Sequence, residues 1–273
     1  MNYRHAFHAG NFADLVKHAV LTALLAELTR AAGPLTVVDT HAGAGLYRLD
    51  GAEALASGEA EAGIARLMAD AAAPAVFGAL KAAVRKLNPK GGIALYPGSP
   101  LLAAGALRRG DKLVAGEMRP EEAARLRKAL ADRPAEVVTG DGFGLAARRA
   151  KPGQRLLALI DPPFERPDDY ARSAEAVAAV LARDRAASLL VWLPLKDLET
   201  FDGFLREAEE AGAGPLVVVE ARMRPLADPM KMNGCALVMA RSDPGIEPAL
   251  RAICDWTVQS LGDRGQARVW AAG

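Results

Sequence analysis

The sequence predicts an α/β fold built on a doubly wound, mostly parallel sheet with helices on both faces. Short apolar runs alternate with segments of helical periodicity, a pattern that indicates βαβ units. The last two runs are separated only by an irregular segment rich in Met, Pro and Asp. That segment favours an antiparallel hairpin at the end of the sheet. Seven strands ending in such a hairpin form a Rossmann-like sheet.

The predicted strands are short runs rich in valine, leucine and isoleucine, and they cover residues 35–39, 113–117, 136–139, 156–160, 189–193, 216–220 and 236–240. Helical periodicity follows several of them, over 121–132, 144–150, 169–184 and 198–211. A helix is also predicted before the first strand, over about 12–31. Asn11 is placed to cap it, and Gly33 followed by Pro34 ends it.

Residues 47–97 break the alternation. Two stretches, 52–67 and 74–87, have helical character, and no strand is predicted until 93–96. We therefore expect a small helical insertion subdomain at 47–97, with residues 1–46 and 98–273 forming the Rossmann-like domain. A long connection that carries two surface helices is the alternative.

The composition of the chain excludes some classes of protein. The chain has 273 residues, is 51% hydrophobic and carries a net charge of +1, so a highly basic nucleic-acid coat protein is excluded. We expect no membrane span and no secretory signal. Its two cysteines are isolated, which favours a reduced, cytoplasmic setting. We expect a monomer.

The first two parallel strands end in residues suited to a nucleotide-like ligand. The first is followed by DTHAGAG at 39–45, where Gly43 and Gly45 allow close approach of a ligand to the backbone. The second ends at Glu117, whose carboxylate can accept hydrogen bonds from both hydroxyls of a ribose. Each feature alone is also typical of a tight turn or a solvated strand end.

The third strand is followed by Asp141, Gly142 and Phe143. The aspartate can bind the amino group of an adenine, and the phenylalanine can pack on its ring. Taken alone, the Gly-Asp-Gly segment at 140–142 is an ordinary turn.

The most discriminating motif follows the fourth strand. It is Asp161-Pro162-Pro163-Phe164. An adenine N6 group is a poor nucleophile because its lone pair is delocalised into the ring. One carboxylate oxygen and one backbone carbonyl can hold both amino protons, and two prolines make the turn stiff. Phe164 offers a face on which a flipped-out base can stack. We therefore predict Asp161, Pro162 and Phe164 as the catalytic turn of an amino-methyltransferase.

Several motifs together resemble the RlmJ family of bacterial 23S ribosomal RNA adenine-N6 methyltransferases. They are YRHAFHAGNFAD at 3–14, Lys17 with His18, DTHAGAG at 39–45, YPGSP at 96–100 and DPPFE at 161–165. The resemblance implies the Rossmann-like fold of class I methyltransferases, with a seven-stranded, mostly parallel sheet and a small helical insertion. It also implies S-adenosyl-L-methionine as cofactor and naked or partly assembled 23S rRNA as partner.

The resemblance also implies roles for individual residues. With Gly43, the predicted cofactor-binding set is His18, His41, Ser99, Glu117, Asp141, Gly142 and Asp161. Asp161 is the implied catalytic residue and Tyr3 the implied RNA contact. A small aromatic and basic cluster, formed by Tyr3, Arg4, His5 and Lys17, is suited to phosphate and base contact.

Alternatives to this interpretation stay open from the sequence. The same turn chemistry serves a DNA adenine or a protein-glutamine amino-methyltransferase, and a non-catalytic RNA-binding protein could keep the fold. All four histidines lie within the first 41 residues, which raises the question of zinc. They lack carboxylate or cysteine partners at metal-ligand spacing, so we predict no metal. His18 could instead be a hydrogen-bonded core histidine.

Overall fold

A computed structural model describes residues 7–228 and 231–272 of the chain. Its centre is an eight-stranded sheet with the order β10-β8-β9-β7-β6-β1-β4-β5. The strands are β1 Leu35–Asp39, β4 Lys112–Glu117, β5 Ala135–Thr139, β6 Arg155–Ile160, β7 Ser188–Leu195, β8 Leu216–Arg222, β9 Gly234–Ala240 and β10 Gln266–Ala272. A separate pair, β2 Leu46–Arg48 and β3 Leu95–Pro97, is antiparallel.

The predicted fold class is confirmed, because β5, β4, β1, β6 and β7 run parallel with the strand order reversing at β1. All seven predicted strands are present, and β8 pairs antiparallel with β9 as expected. The sheet has one more strand than predicted. The C-terminal β10 pairs antiparallel with β8, so the β8–β9 hairpin lies inside the sheet rather than at its end.

Ten helices occur in the described residues. They are α1 Phe12–Leu28, α2 Ala52–Ser57, α3 Arg66–Ala69, α4 Gly78–Leu87, α5 Ser99–Ala106, α6 Pro120–Ala129, α7 Leu145–Arg149, α8 Asp169–Leu181, α9 Leu198–Glu210 and α10 Glu247–Leu261. None of those in 7–228 and 231–272 has the length and apolar character that a bilayer crossing requires.

Helix α1 begins as predicted and ends three residues earlier. The Asn11 side chain accepts a hydrogen bond from the Asp14 backbone N–H at 3.0 Å, which caps the helix. The helix ends at Leu28 rather than at residue 31, and Thr29 closes its last turn. Almost every residue from Ala13 to Leu25 is buried, because α1 packs against α5 and α10 over one face of the sheet.

The segment between β2 and β3 contains α2, a π-helical turn at Glu61–Ala65, α3, a 3₁₀ turn at Ala75–Phe77, and α4. The predicted strand at 93–96 is β3, and its partner β2 was not predicted. Buried side chains of this segment share one hydrophobic cluster with α1 and α10, and they include Ile64, Leu67, Phe77, Leu80 and Val84. The division at residues 47–97 stays a prediction.

Candidate active site

A cavity of about 1540 Å³ opens at the carboxyl ends of the central parallel strands. This is the edge at which doubly wound sheets bind ligands, beside the point where strand order reverses. Eight predicted site residues line it, namely His18, His41, Gly43, Ser99, Glu117, Asp161, Pro162 and Phe164. Residues from α1, β1, β4 and β6 therefore meet in one place.

The turn after β1 is held close to its neighbours. Gly43 has φ of 60°, and a Cβ added there would lie 2.2 Å from the Tyr47 hydroxyl oxygen. That hydroxyl accepts a hydrogen bond from the Ala44 backbone N–H at 3.1 Å. A side chain at position 43 would therefore collide with Tyr47, which lines the same cavity, so glycine is required at this turn.

Asp39, at the tip of β1, is a buried carboxyl with one unsatisfied oxygen. The Ser99 hydroxyl donates to Asp39 Oδ2 at 2.7 Å. Within the described chain, Oδ1 has no hydrogen-bond partner. Burial raises the pKa of Asp39 to about 7, although the Ser99 hydrogen bond opposes the change. A buried acceptor with no partner needs a donor, and the ammonium group of an amino-acid-bearing cofactor would supply one.

Two histidines also line the cavity. His18 is buried, and its Nδ1 lies 2.8 Å from the Tyr96 hydroxyl oxygen. His41 Nδ1 lies 2.7 Å from Thr40 Oγ1. Burial lowers the pKa of His41 to about 4, so its ring is neutral near pH 7. His18 is thus both a hydrogen-bonded core residue and part of the cavity wall.

Glu117 lies at the tip of β4, half-buried in the cavity wall. Its Oε1 accepts a hydrogen bond from the Arg119 backbone N–H at 2.8 Å, and burial raises its pKa. The next residue, Met118, lines the same cavity with 66% of its surface exposed. An apolar side chain so exposed beside an acidic strand tip suits contact with a planar ring. We did not predict Met118, although its place directly after Glu117 was visible in the sequence.

Asp141 and Gly142 lie at the tip of β5 and are absent from the lining of the cavity in the described chain. The Arg172 guanidinium donates to Asp141 Oδ2 at 2.7 Å and lies 4.0 Å from the centre of the Phe143 ring. A Cβ added at Gly142 would lie 1.9 Å from the Thr40 carbonyl oxygen. This glycine therefore allows the loops after β1 and β5 to meet. The cofactor roles of Asp141 and Gly142 stay predictions.

The turn after β6 has a strained backbone. Phe164 has φ of 50°, a left-handed conformation that is costly for a residue with a side chain. Its ring packs edge-on against Tyr170, with centroids 4.8 Å apart, and lies 5.7 Å from the ring of Trp192. The Tyr170 hydroxyl in turn donates to the Pro194 carbonyl at 2.6 Å. Aromatic packing thus holds Phe164 in a conformation that turns it into the cavity wall.

Lys17 is the site residue whose role the sequence did not reveal. Its Nζ lies 2.7 Å from Asp161 Oδ2 and 3.0 Å from Asp14 Oδ1, and its side chain is only 7% exposed. The interpretation of Lys17 as part of a phosphate-binding surface cluster is therefore wrong, since the buried ammonium is held by two carboxylates. The other members of that cluster, Tyr3, Arg4 and His5, lie outside the described residues.

The described histidines have separate surroundings. His8 contacts Glu59, His18 contacts Tyr96 and His41 contacts Thr40. In residues 7–228 and 231–272, no three histidine, cysteine or acidic side chains are grouped closely enough to hold a metal ion.

Known proteins are similar to this chain in sequence and in structure. The family described as ribosomal RNA large subunit methyltransferase D, RlmJ, matches residues 32–272. The ribosomal RNA large subunit methyltransferase J of Escherichia coli is 32% identical, over 96% of this chain and 94% of that protein. Its namesake in Haemophilus influenzae is 30% identical over the same shares of the two chains.

A solved structure of a Legionella pneumophila protein is also similar. It superimposes with a TM-score of 0.87 at 29% identity, over 97% of this chain and 98% of that one. The match therefore covers nearly the whole of both chains. The chain belongs to the RlmJ family of ribosomal RNA large subunit methyltransferases.

Proposed function

We propose that this protein transfers a methyl group from S-adenosyl-L-methionine to the N6 amino group of an adenine in 23S rRNA. The observation that carries the proposal is the turn after β6. There Asp161 is paired with Lys17 at 2.7 Å, and the strained Phe164 lies beside it in the cavity wall. A carboxylate and an aromatic ring on a rigid turn are the groups that an adenine amino group requires.

The residues of the cavity fit the proposed cofactor. Asp39 offers an unsatisfied buried oxygen to its ammonium group, and the Gly43 turn has no room for a side chain of its own. Glu117 would accept hydrogen bonds from the ribose hydroxyls and Met118 would contact the adenine ring, with Asp141 and Gly142 proposed further along the same edge. When bound, the cofactor supplies a methyl group on a sulfonium, an electrophile that needs no metal.

Asp161 Oδ1 would accept a hydrogen bond from one N–H of the substrate amino group, because Oδ2 is engaged by Lys17. The Pro162 carbonyl would accept a hydrogen bond from the other N–H, which directs the nitrogen lone pair out of the ring plane. Phe164 would stack on the base and fix its orientation, since positioning provides most of the rate enhancement in such a transfer. Asp161 can then take the proton that the product releases.

The names of the relatives support ribosomal RNA of the large subunit as the substrate. We propose, more specifically, that the substrate is naked or partly assembled 23S rRNA and that Tyr3 and Arg4 contact it. We also propose that the protein acts as a monomer in the cytoplasm. A DNA adenine or protein-glutamine methyltransferase is not favoured, because the family match covers residues 32–272.

The test is methyl transfer from labelled cofactor to protein-free 23S rRNA, assembled large subunits and a DNA duplex. We expect label in the protein-free rRNA, recovered as N6-methyladenosine after nuclease digestion. Asp161→Asn should abolish about 99% or more of the transfer, because it no longer supplies a negatively charged acceptor. It should still bind the cofactor. Label confined to DNA, or full activity of Asp161→Asn, would overturn the proposal.

A further inference from the structure

The segment between β2 and β3 makes a backbone–backbone hydrogen bond with the residues just before α1. The Ile64 N–H in the π-helical turn donates to the Gly10 carbonyl at 2.8 Å. A Cβ added at Gly63 would lie 2.2 Å from the same carbonyl oxygen. Gly10 itself has φ of 80°, and its own Cβ would lie 2.8 Å from Ile64 Cγ2. The two turns therefore fit together only because both positions are glycine.

Glu59, which precedes the π-helical turn, adds a polar link at this contact. Its Oε1 lies 2.9 Å from His8 Nδ1, and its Oε2 accepts a hydrogen bond from Asn11 Nδ2 at 2.8 Å. Each carboxylate oxygen of Glu59 therefore binds one side chain, His8 or Asn11, from the residues just before α1. Glu59 is not among the residues that line the cavity in the described chain, so it does not touch a ligand there.

From Asn11 a continuous set of contacts leads to the catalytic carboxylate. Asn11 Oδ1 accepts from the Asp14 backbone N–H at 3.0 Å, and Asp14 Oδ2 accepts from the Gly10 N–H at 2.9 Å. The other Asp14 oxygen lies 3.0 Å from Lys17 Nζ. Lys17 in turn meets Asp161 at 2.7 Å. The orientation of Asn11 therefore sets the first turn of α1, and that turn sets Lys17.

We propose that Glu59 is a positioning residue for the reaction, which fixes Asn11 and the first turn of α1 so that Lys17 holds Asp161 in its productive orientation. This gives Glu59 a role in catalysis without contact with either substrate. The inference rests on the proposed function, because Asp161 matters only if the turn after β6 is the reacting site.

The experiment compares Glu59→Ala, Glu59→Gln and Glu61→Ala. Glu61 is the matched control, since it lies in the same segment, is exposed and has no side-chain hydrogen bond within the described residues. We expect Glu59→Ala to lower kcat about tenfold through misplacement of Asp161, with KM for RNA and the cofactor Kd changed less than about twofold. Glu59→Gln should recover most of the rate, because its amide can bond both Asn11 and a neutral His8.

A second variant separates positioning from helix stability. Asn11→Ser keeps an N-cap side chain but cannot reach Glu59, so it should lower kcat as Glu59→Ala does. The double variant should be no slower than either single one, because both break the same link. Wild-type kcat in Glu59→Ala, or additive losses in the double variant, would overturn the proposal.

Amide hydrogen exchange gives a result that does not depend on activity. Exchange of residues 12–17 should be faster in Glu59→Ala than in wild type and unchanged in Glu61→Ala. Unchanged exchange in Glu59→Ala would overturn the positioning role even if the protein methylated no RNA. An inactive wild-type protein with faster exchange in Glu59→Ala would instead contradict the proposed function alone.

Discussion

At the residue scale, Asp39 links the chemistry of the cavity to the stability of the protein. Its carboxyl is buried, one oxygen has no partner in the described chain, and burial raises its pKa to about 7. In the unfolded chain an aspartate has a pKa near 4. The folded protein therefore binds the Asp39 proton more tightly than the unfolded chain does. The protonated carboxyl thus stabilises the folded state at low pH, and this contribution is lost as pH rises from about 4 through about 7.

We accordingly predict that Asp39→Asn becomes more stable relative to the wild type as pH rises in the cofactor-free protein. The difference in free energy of unfolding should grow by on the order of 3 kcal/mol between pH 5 and pH 8. Buried His41, whose pKa is lowered to about 4, acts in the opposite direction as pH rises from 4 to 6.5, and it does so in both proteins. Urea unfolding at four pH values measures the difference, and parallel curves would contradict the prediction.

Lys17 gives a second prediction at this scale. Its ammonium lies between the nearly buried carboxylates of Asp14 and Asp161. Lys17→Met leaves both without that cation, so it should lower the free energy of unfolding by roughly 3 kcal/mol. Removing one carboxylate as well, in Lys17→Met with Asp161→Asn, should restore part of the loss. Urea midpoints and slopes measure both effects, and a double variant less stable than Lys17→Met would contradict this account.

At the scale of the elements, the sequence was most informative where hydrophobic periodicity continues over several turns or strand residues. All seven predicted strands and α1 were found, because their apolar runs form the core of the sheet and of the helical layer that packs on it. Helix α10 was missed although its buried residues 250, 253, 254 and 257 follow helical spacing. The three-residue strand β2 was also missed, because it is too short for any alternation to show.

The site residues also differ in whether a local sequence pattern could predict them. Strand tips bearing glycines and acids are local patterns, and they led to Gly43, Glu117 and Asp161, whereas His41 was implied by the family resemblance. The pairing of Lys17 with Asp161 joins residues 144 positions apart, and no local pattern contains it. The left-handed conformation of Phe164 likewise depends on its packing against Tyr170 and Trp192, which the chain brings together only on folding.

The contact between the loops after β1 and β5 supports a prediction for Gly142. Because a Cβ there would lie 1.9 Å from the Thr40 carbonyl oxygen, Gly142→Ala must push the loops apart. We expect a loss of about 2 kcal/mol in the free energy of unfolding, together with weaker cofactor binding. Gly105→Ala in α5 is the control, since its Cβ would meet nothing within 4 Å and alanine favours the helix. Equal melting temperatures for the two variants would contradict the prediction.

At the scale of the whole molecule, the segment between β2 and β3 is bound to the sheet by a common core. Phe77 from this segment packs against Trp256 of α10, with ring centroids 5.0 Å apart. The Trp256 indole N–H donates to Asp70 Oδ2 at 2.7 Å. Leu80 and Val84 of α4 belong to the same buried cluster as the inner residues of α1. Separating the segment from the domain would expose apolar surface on both sides, so the two parts should unfold together.

Trp256 can report on that prediction, because it is the one tryptophan of three that contacts the segment through Phe77 and Asp70. A variant with Trp192→Phe and Trp270→Phe leaves its fluorescence as the only indole signal. We expect its transition in urea to coincide with the loss of helix seen by circular dichroism. The further change Phe77→Ala should lower both midpoints equally, since a large buried ring costs about 3 kcal/mol or more to remove. A fluorescence transition that precedes the loss of helix would instead make residues 47–97 an independently unfolding subdomain, and Phe77→Ala would then shift that transition alone.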